Sequence, residues 1–420
     1  MLHKKISSRY YLFSLSNLIA AFGGGMILGK GVGIIDLPWL QNGSVLAFFI
    51  GTILGLCFLQ SIPEKLSTKI AKFFSFCGGI TSLILFYIYQ NYSTDSKING
   101  SLALIFFALL SIRFGFWFYS RVMRASQASG QQQSIAWVEL GYYAGMVLGL
   151  IIWKLLGINV GLGTALVMDA CFQFIAGILD YCGNAMPENG VAHEKQQIQI
   201  NSELELIQCN PQWCWRLAGA VIFTTIGIQV VIFNSSHYVS ETFSAHIIGT
   251  FYFGVAAAAF ICNKYKIYIT WKDNNNIASI QGYYTKMKIG LLSLTLASLM
   301  AVIMAIYLIN LNNPSVFIND TYNKVLICLF VFVAAFSYEI ISLTILDRLG
   351  YEEKRIGRSG MIMQTYGLMG LGAAVSLWML GLMENHYTSS IITILTLSLT
   401  MIIILKRKRD VLHPSNCSLC

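Results

Sequence analysis

Charge is what this 420-residue chain has least of: Asp, Glu, Lys and Arg make up only 11% of it, against 56% hydrophobic residues. A soluble domain carries about 25% charged residues, so a chain this poor in charge cannot cover a water-facing surface. Proline is nearly as scarce. All six (Pro38, Pro63, Pro187, Pro211, Pro314 and Pro414) lie outside the long apolar runs. Cysteine is absent from every loop on one side of those runs, which excludes an external disulfide framework. Cys57, Cys77, Cys171, Cys262 and Cys328 read as small apolar fillers in helices. No glycine-rich turn sits in a strand-to-helix context, which excludes a nucleotide-binding loop and direct ATP drive. No nucleophile–base pair is evident, and the spacing of His193, Cys209 and Cys214 matches no strong zinc pattern. The chain therefore does not read as an enzyme, and it implies no cofactor.

What is present is apolar and long. A helix crossing a bilayer needs about 20 predominantly apolar residues. Twelve stretches qualify, at about 10–30, 45–62, 69–90, 101–120, 134–154, 161–181, 215–234, 245–263, 288–310, 323–345, 359–382 and 387–405. The first is full length with no convincing cleavage site after it, so it reads as a retained helix rather than a signal peptide. Basic residues mark alternate loops. Lys4, Lys5 and Arg9 precede the first span, Arg121 and Arg124 follow the fourth, and Arg348, Lys354, Arg355 and Arg358 follow the tenth. Cytoplasmic loops carry this excess, so both termini are expected in the cytoplasm of an inner or plasma membrane. The net charge of +9 is then a topology signal that needs no nucleic-acid partner.

The longest polar stretch divides the spans six and six. The expected organisation is a six-helix bundle over 1–182, a cytoplasmic linker over 183–214, a second six-helix bundle over 215–405 and a basic tail over 406–420. The halves echo each other. Glu139 and Trp153 in the fifth span are separated as are Gln364 and Trp378 in the eleventh, and Arg113 and Glu339 fall at matching depths in the fourth and tenth. The loop after the second span reads Glu64-Lys65-Leu66-Ser67-Thr68-Lys69.

Twelve spans in two halves, a central linker and this charged loop resemble the major facilitator superfamily across the whole chain. The family loop carries a glycine where Ser67 stands, and the Gly-Pro step of the family's proton antiporters is absent from the fifth span. The resemblance implies an all-α membrane protein of two pseudo-symmetric six-helix bundles. It also implies a secondary transporter working by alternating access as a monomer. No subfamily is assigned.

Ionisable groups inside a bilayer are expensive and by default functional. Arg113, Glu139, Asp169 and Glu339 form that set. Arg113 and Glu139 lie at similar expected depths and can pair. Either Arg113 binds an anionic group of the cargo while Glu139 carries a proton, or the two form a permanent salt bridge. The resemblance places the tenth span on the central cavity, so Glu339 is a second candidate proton site. Asp169 lies on a span that is peripheral in the family, where packing or a buried hydrogen bond fits better. Asn17, Gln229 and Gln364 are candidate cargo contacts, as are Thr224 and Thr225, although such residues also join helices. Gly141, Gly145 and Gly149 repeat every fourth residue and suit close helix approach. Gly23, Gly24 and Gly25 can bend the first span.

The expected cargo is a small polar solute, anionic or zwitterionic: an amino acid, an organic acid or a carboxylate siderophore. The expected partners are that solute, the lipid bilayer and protons. The alternative is a non-transporting membrane sensor or assembly partner that keeps the carrier fold.

Overall fold

The computed structural model describes residues 8–30, 43–61, 64–94, 97–128, 132–155, 161–186 and 241–264, with further helical positions between 321 and 343. Its helices are α1 (Ser8–Lys30), α2 (Gly43–Ser61), α3 (Glu64–Tyr92), α4 (Gly100–Ala128), α5 (Gln132–Leu155), α6 (Leu162–Ala185) and α7 (Glu241–Lys264). They match the first six expected spans and the eighth, and the 321–343 positions fall on the tenth. The remaining four spans, the linker beyond residue 186 and the basic tail lie outside the described residues. Helices are what this composition dictates. In hydrocarbon, backbone N–H and C=O groups must be satisfied within the segment, and no proline interrupts any of these runs. A short antiparallel ladder, β1 (Ser93–Thr94) with β2 (Lys97–Ile98), turns α3 into α4. Gly100 follows at a φ of 65°, in the left-handed region that glycine adopts without a side-chain penalty.

α4 is longer than its apolar run. The fourth span is expected to stop near residue 120, yet α4 continues to Ala128 and carries Arg121 and Arg124 inside the helix rather than in a loop. α6 likewise runs past its expected end to Ala185.

Small residues set the packing. α1 lies against α5 and α6, α2 against α4, and α3 against α4 and α6. Gly141, Gly145 and Gly149 of α5 face the backbone carbonyls of Ser14, Leu18 and Phe22 on α1, where an added Cβ would collide with each oxygen. Both series advance four residues at a time, so one ridge of α5 beds along one ridge of α1, as the glycine spacing predicts. The α1 glycines serve packing as well. α1 is one continuous helix. Gly23 admits Asp169 of α6, Gly24 admits the Trp117 ring of α4, and Gly25 admits the Met146 backbone of α5. Three consecutive positions thus seat three different helices.

The polarity is inverted relative to a soluble protein. Phe73, Ile80, Ile84 and Tyr87 of α3 are exposed on one face, while Ser75 and Ser82 of the same helix are buried. Ile178 and Tyr181 of α6 and Phe253 and Phe260 of α7 are also exposed. Among the described residues, four stretches, Ser8–Leu28, Lys72–Tyr92, Gly100–Ala125 and Leu162–Ala185, are long and apolar enough to cross a membrane. With apolar faces outward and charges inward, this is an integral multi-pass membrane protein. Cys57 and Cys171 point outward instead of filling the interior.

Candidate functional site

Among the described residues, three buried ion pairs and one further buried carboxylate lie inside the helices. The pairs use all three arginines of α4, and each serves a different contact.

The first pair joins Arg113 to Asp169 of α6, both fully buried. Arg113 Nε donates to Asp169 Oδ2 at 2.8 Å, and its Nη2 donates to Oδ1. Ser82 of α3 donates to the same carboxylate at 2.6 Å, and Gln173 of α6 at 3.3 Å. The guanidinium sits 5.0 Å from the Phe114 ring centroid and 5.2 Å from that of Trp117. Four donors on one carboxylate offset part of the several kcal/mol that burying an ion costs.

Eleven residues further along both helices the arrangement repeats. Arg124 donates from Nε and Nη2 to the two oxygens of Asp180, each at 2.7 Å. This bidentate fork matches the carboxylate plane and is among the stronger hydrogen-bonded pairs. Ser75 of α3 takes the place that Ser82 holds in the first layer, 2.9 Å from Asp180 Oδ2. Ser16 of α1 donates to Asp180 Oδ1 at 2.8 Å. The remaining arm of Arg124 donates to Asn17 Oδ1 at 2.6 Å, and Asn17 Nδ2 donates to the Val138 carbonyl of α5 at 3.0 Å. Asn17, expected as a cargo contact, thus has both ends of its amide engaged by the protein.

The third pair corrects an expectation. Glu139 pairs with Arg121, not with Arg113: Arg121 Nη2 donates to Glu139 Oε2 at 2.6 Å. The reason is the extra length of α4. Arg121 lies seven residues before its end at Ala128, and Glu139 lies seven residues after α5 begins at Gln132, so the antiparallel hairpin brings them level. Arg113, about 12 Å further along the helix by the rise of 1.5 Å per residue, meets α6 instead. Asp169, expected in a packing or hydrogen-bonding role, is its salt-bridge partner.

This third pair faces the second half of the chain. The Arg121 guanidinium lies 3.5 Å from the Tyr142 ring centroid, and its Nη2 donates to the Tyr143 hydroxyl at 3.2 Å. The Tyr143 ring meets Tyr252 of α7 at 6.4 Å. Val255 of α7 and Ala335 share one apolar cluster with Tyr142, Tyr143 and Met146 of α5. Into this junction comes Glu339, 1% exposed. The Tyr143 hydroxyl hydrogen-bonds it, and Glu139 and Arg121 are the charges acting on it. Its Oε2 has no hydrogen-bond partner among the described residues. Glu139 and Glu339, named separately from the sequence, therefore meet across the two halves. Gln229 and Gln364 lie outside the described residues, as do Thr224 and Thr225. Among the described residues no group of three or more His, Cys, Asp or Glu side chains could hold a metal ion.

The sequence reading missed Asp180 and took Arg121 and Arg124 for charges at the cytoplasmic end of the fourth helix. A signal was available. Arg113 to Arg124 and Asp169 to Asp180 are both eleven-residue steps, close to three helical turns, which puts each set on one helix face.

No protein-family model matches the chain, and no curated protein matches it. Solved structures do. Two crystal structures of a bacterial homologue of the iron transporter ferroportin, one outward-facing and one in that state with soaked iron, align over 96% of this chain and 99% of that chain. The TM-score is 0.57 in each case, at 10% sequence identity. The chain has a major facilitator-type fold. The Arg113–Asp169 and Arg124–Asp180 layers lie among α1, α3, α4 and α6. Arg121, Glu139, Tyr143, Tyr252 and Glu339 lie where α4 and α5 meet α7 and the 321–343 positions.

Proposed function

We propose that the chain is a secondary carrier whose two bundles rock about the α5–α7 junction, moving a small solute by alternating access. The observation that carries this is Glu339. A carboxylate from one bundle is buried against an Arg–Glu pair of the other, with one oxygen unsatisfied. A buried polar atom without a partner is costly, and such a contact suits a junction that is made and broken in a cycle better than one that is permanent.

The charge balance bears on the cargo. At the junction itself, among the described residues, one arginine (121) faces two carboxyl groups (139 and 339), which leaves one negative charge in excess when both are ionised. Arg113, Arg121 and Arg124 are each already engaged by a carboxylate. That balance favours a cation over the anionic or zwitterionic solute expected from the sequence, and it moves the cargo role away from Arg113 and Asn17. That the aligned protein is a homologue of an iron transporter also speaks for a cation. In this reading Glu139 and Glu339 remain the candidate proton sites, and the carrier is a monomer with both termini in the cytoplasm, as the basic loops and the family resemblance imply.

Flux of labelled cations into proteoliposomes tests the reading. Wild-type protein is expected to carry a cation down its gradient, and Glu339→Gln to reduce the rate at least tenfold. Undiminished flux in Glu339→Gln would remove Glu339 from the mechanism. Absence of flux for every cation and anion tried would favour a sensor that kept the carrier fold.

A further inference from the structure

The groups around Arg121 share one chemical preference. Tyr142 presents a ring face at 3.5 Å, Tyr143 a hydroxyl at 3.2 Å and Glu139 an oxygen at 2.6 Å. Tyr252 closes the side toward the second bundle. Glu339 adds a second carboxylate whose Oε2 has no partner, although the residue is 1% exposed. Ring faces attract ammonium and guanidinium groups through the aromatic quadrupole, and carboxylates attract any cation. The described walls of this box contain no other positive group, and the positive group inside it is a side chain of the protein.

We infer that the box formed by Tyr142, Tyr143, Tyr252, Glu139 and Glu339 is a binding site for a small organic cation of the guanidinium or ammonium type. Arg121 fills that site as a tethered stand-in. The inference deepens the carrier reading by naming the cargo class, and it rests on that reading for the cargo role though not for binding. The described walls offer two carboxylates and no His or Cys, too few hard or soft ligands for a metal cage but enough for a cation held by ring faces and two acids. Cargo entering the box has to displace the Arg121 guanidinium from Glu139. The junction between the bundles then holds either the tethered cation or the diffusible one. Glu339 comes from the second bundle, so its hold on the occupant links occupancy to how the bundles sit. The two acids together can balance one cation more than the arginine supplies.

The test uses the full-length protein in lipid nanodiscs, with methylguanidinium as probe and manganese(II) and sodium as comparison ions. Wild type is expected to bind methylguanidinium weakly but saturably. Arg121→Ala, with the stand-in removed, is expected to bind it at least tenfold more tightly, and Glu339→Gln to abolish binding in both backgrounds. If Arg121→Ala is not recovered folded, Arg121→Gln removes the same charge and keeps a polar side chain. The inference is overturned by any of three results: no saturable binding to wild type, no gain on removing Arg121, or a gain that survives Glu339→Gln. Manganese(II) or sodium binding as tightly as methylguanidinium would overturn it too. Parallel flux measurements separate the two readings. Binding as expected with no flux of the probe keeps the site and removes the carrier reading, while flux of another cation without the gain keeps the carrier and removes the site.

Discussion

Changing Asp180 to Asn leaves a guanidinium buried without its counter-charge. Asp180 accepts both arms of Arg124 and sits within reach of Ser16 and Ser75. Side-chain exposure is 3% for each partner, so solvent cannot replace the lost charge. Removing one member of a buried pair destabilises by about 3–5 kcal/mol. An arginine at an exposed helix end, which is how the sequence alone places Arg124, would give changes within about 0.5 kcal/mol. Unfolding entropy of about 2.1 cal/mol/K per residue over 420 residues is about 0.9 kcal/mol/K. The expected fall in the midpoint of thermal unfolding is then about 3–6 °C, read by differential scanning fluorimetry in detergent. The double variant Asp180→Leu with Arg124→Met removes both charges and should recover most of the loss, because a well-packed apolar pair often matches a buried ion pair. A shift under about 1 °C for Asp180→Asn, or a double variant no better than the single one, would refute the burial argument.

Gly145→Ile should abolish the α1–α5 contact, because even a Cβ would meet the Leu18 carbonyl oxygen; the readout is the monodisperse fraction on size-exclusion chromatography, which is expected to be lost. A nitroxide at Ile84, 44% exposed on α3, should be relaxed more strongly by oxygen than by a water-soluble nickel complex, with the reverse ratio refuting a lipid-facing position. Cysteines replacing Tyr143 and Tyr252, whose rings lie 6.4 Å apart, should be joined by a short bifunctional thiol reagent, and the cross-link should stop any measured flux. If the cross-linked protein carries cation at the wild-type rate, the junction does not open in the cycle.

The helices of the first half were legible because hydrocarbon thickness and backbone satisfaction leave few alternatives for an apolar run of that length. The α5 glycines were legible for a related reason, since a four-residue repeat of the smallest side chain has little other use in a helix. The ends of α4 and α6 were not. Arg121, Arg124 and Asp180 lower the local hydropathy and so imitate the edge of a loop, and only their partners on neighbouring helices show that they lie within the fold. The Arg113–Glu139 pairing failed for the same reason, because an eight-residue error in the end of α4 moved the wrong arginine level with Glu139. Glu139 and Glu339 were legible as costly intramembrane acids. That they meet depends on the approach of two helices some 200 residues apart in sequence, which no local pattern encodes.

The two arginine–aspartate layers also set a timetable for making the protein. Arg124 and Asp180 are 56 residues apart in the chain. At about 5–20 residues per second of synthesis, Arg124 emerges some 3–11 s before its counter-charge exists. During that interval α4 carries an uncompensated cation, and Ser16 of α1 lacks the Ala176 carbonyl and the Asp180 carboxylate that it will hydrogen-bond. α1 cannot take its final seat either, since the helices that close on Gly23, Gly24 and Gly25 include α5 and α6. α1 to α5 therefore wait for α6, and a chain stopped before α6 is made would leave Arg113 and Arg124 without their counter-charges and the Gly23 seat unfilled.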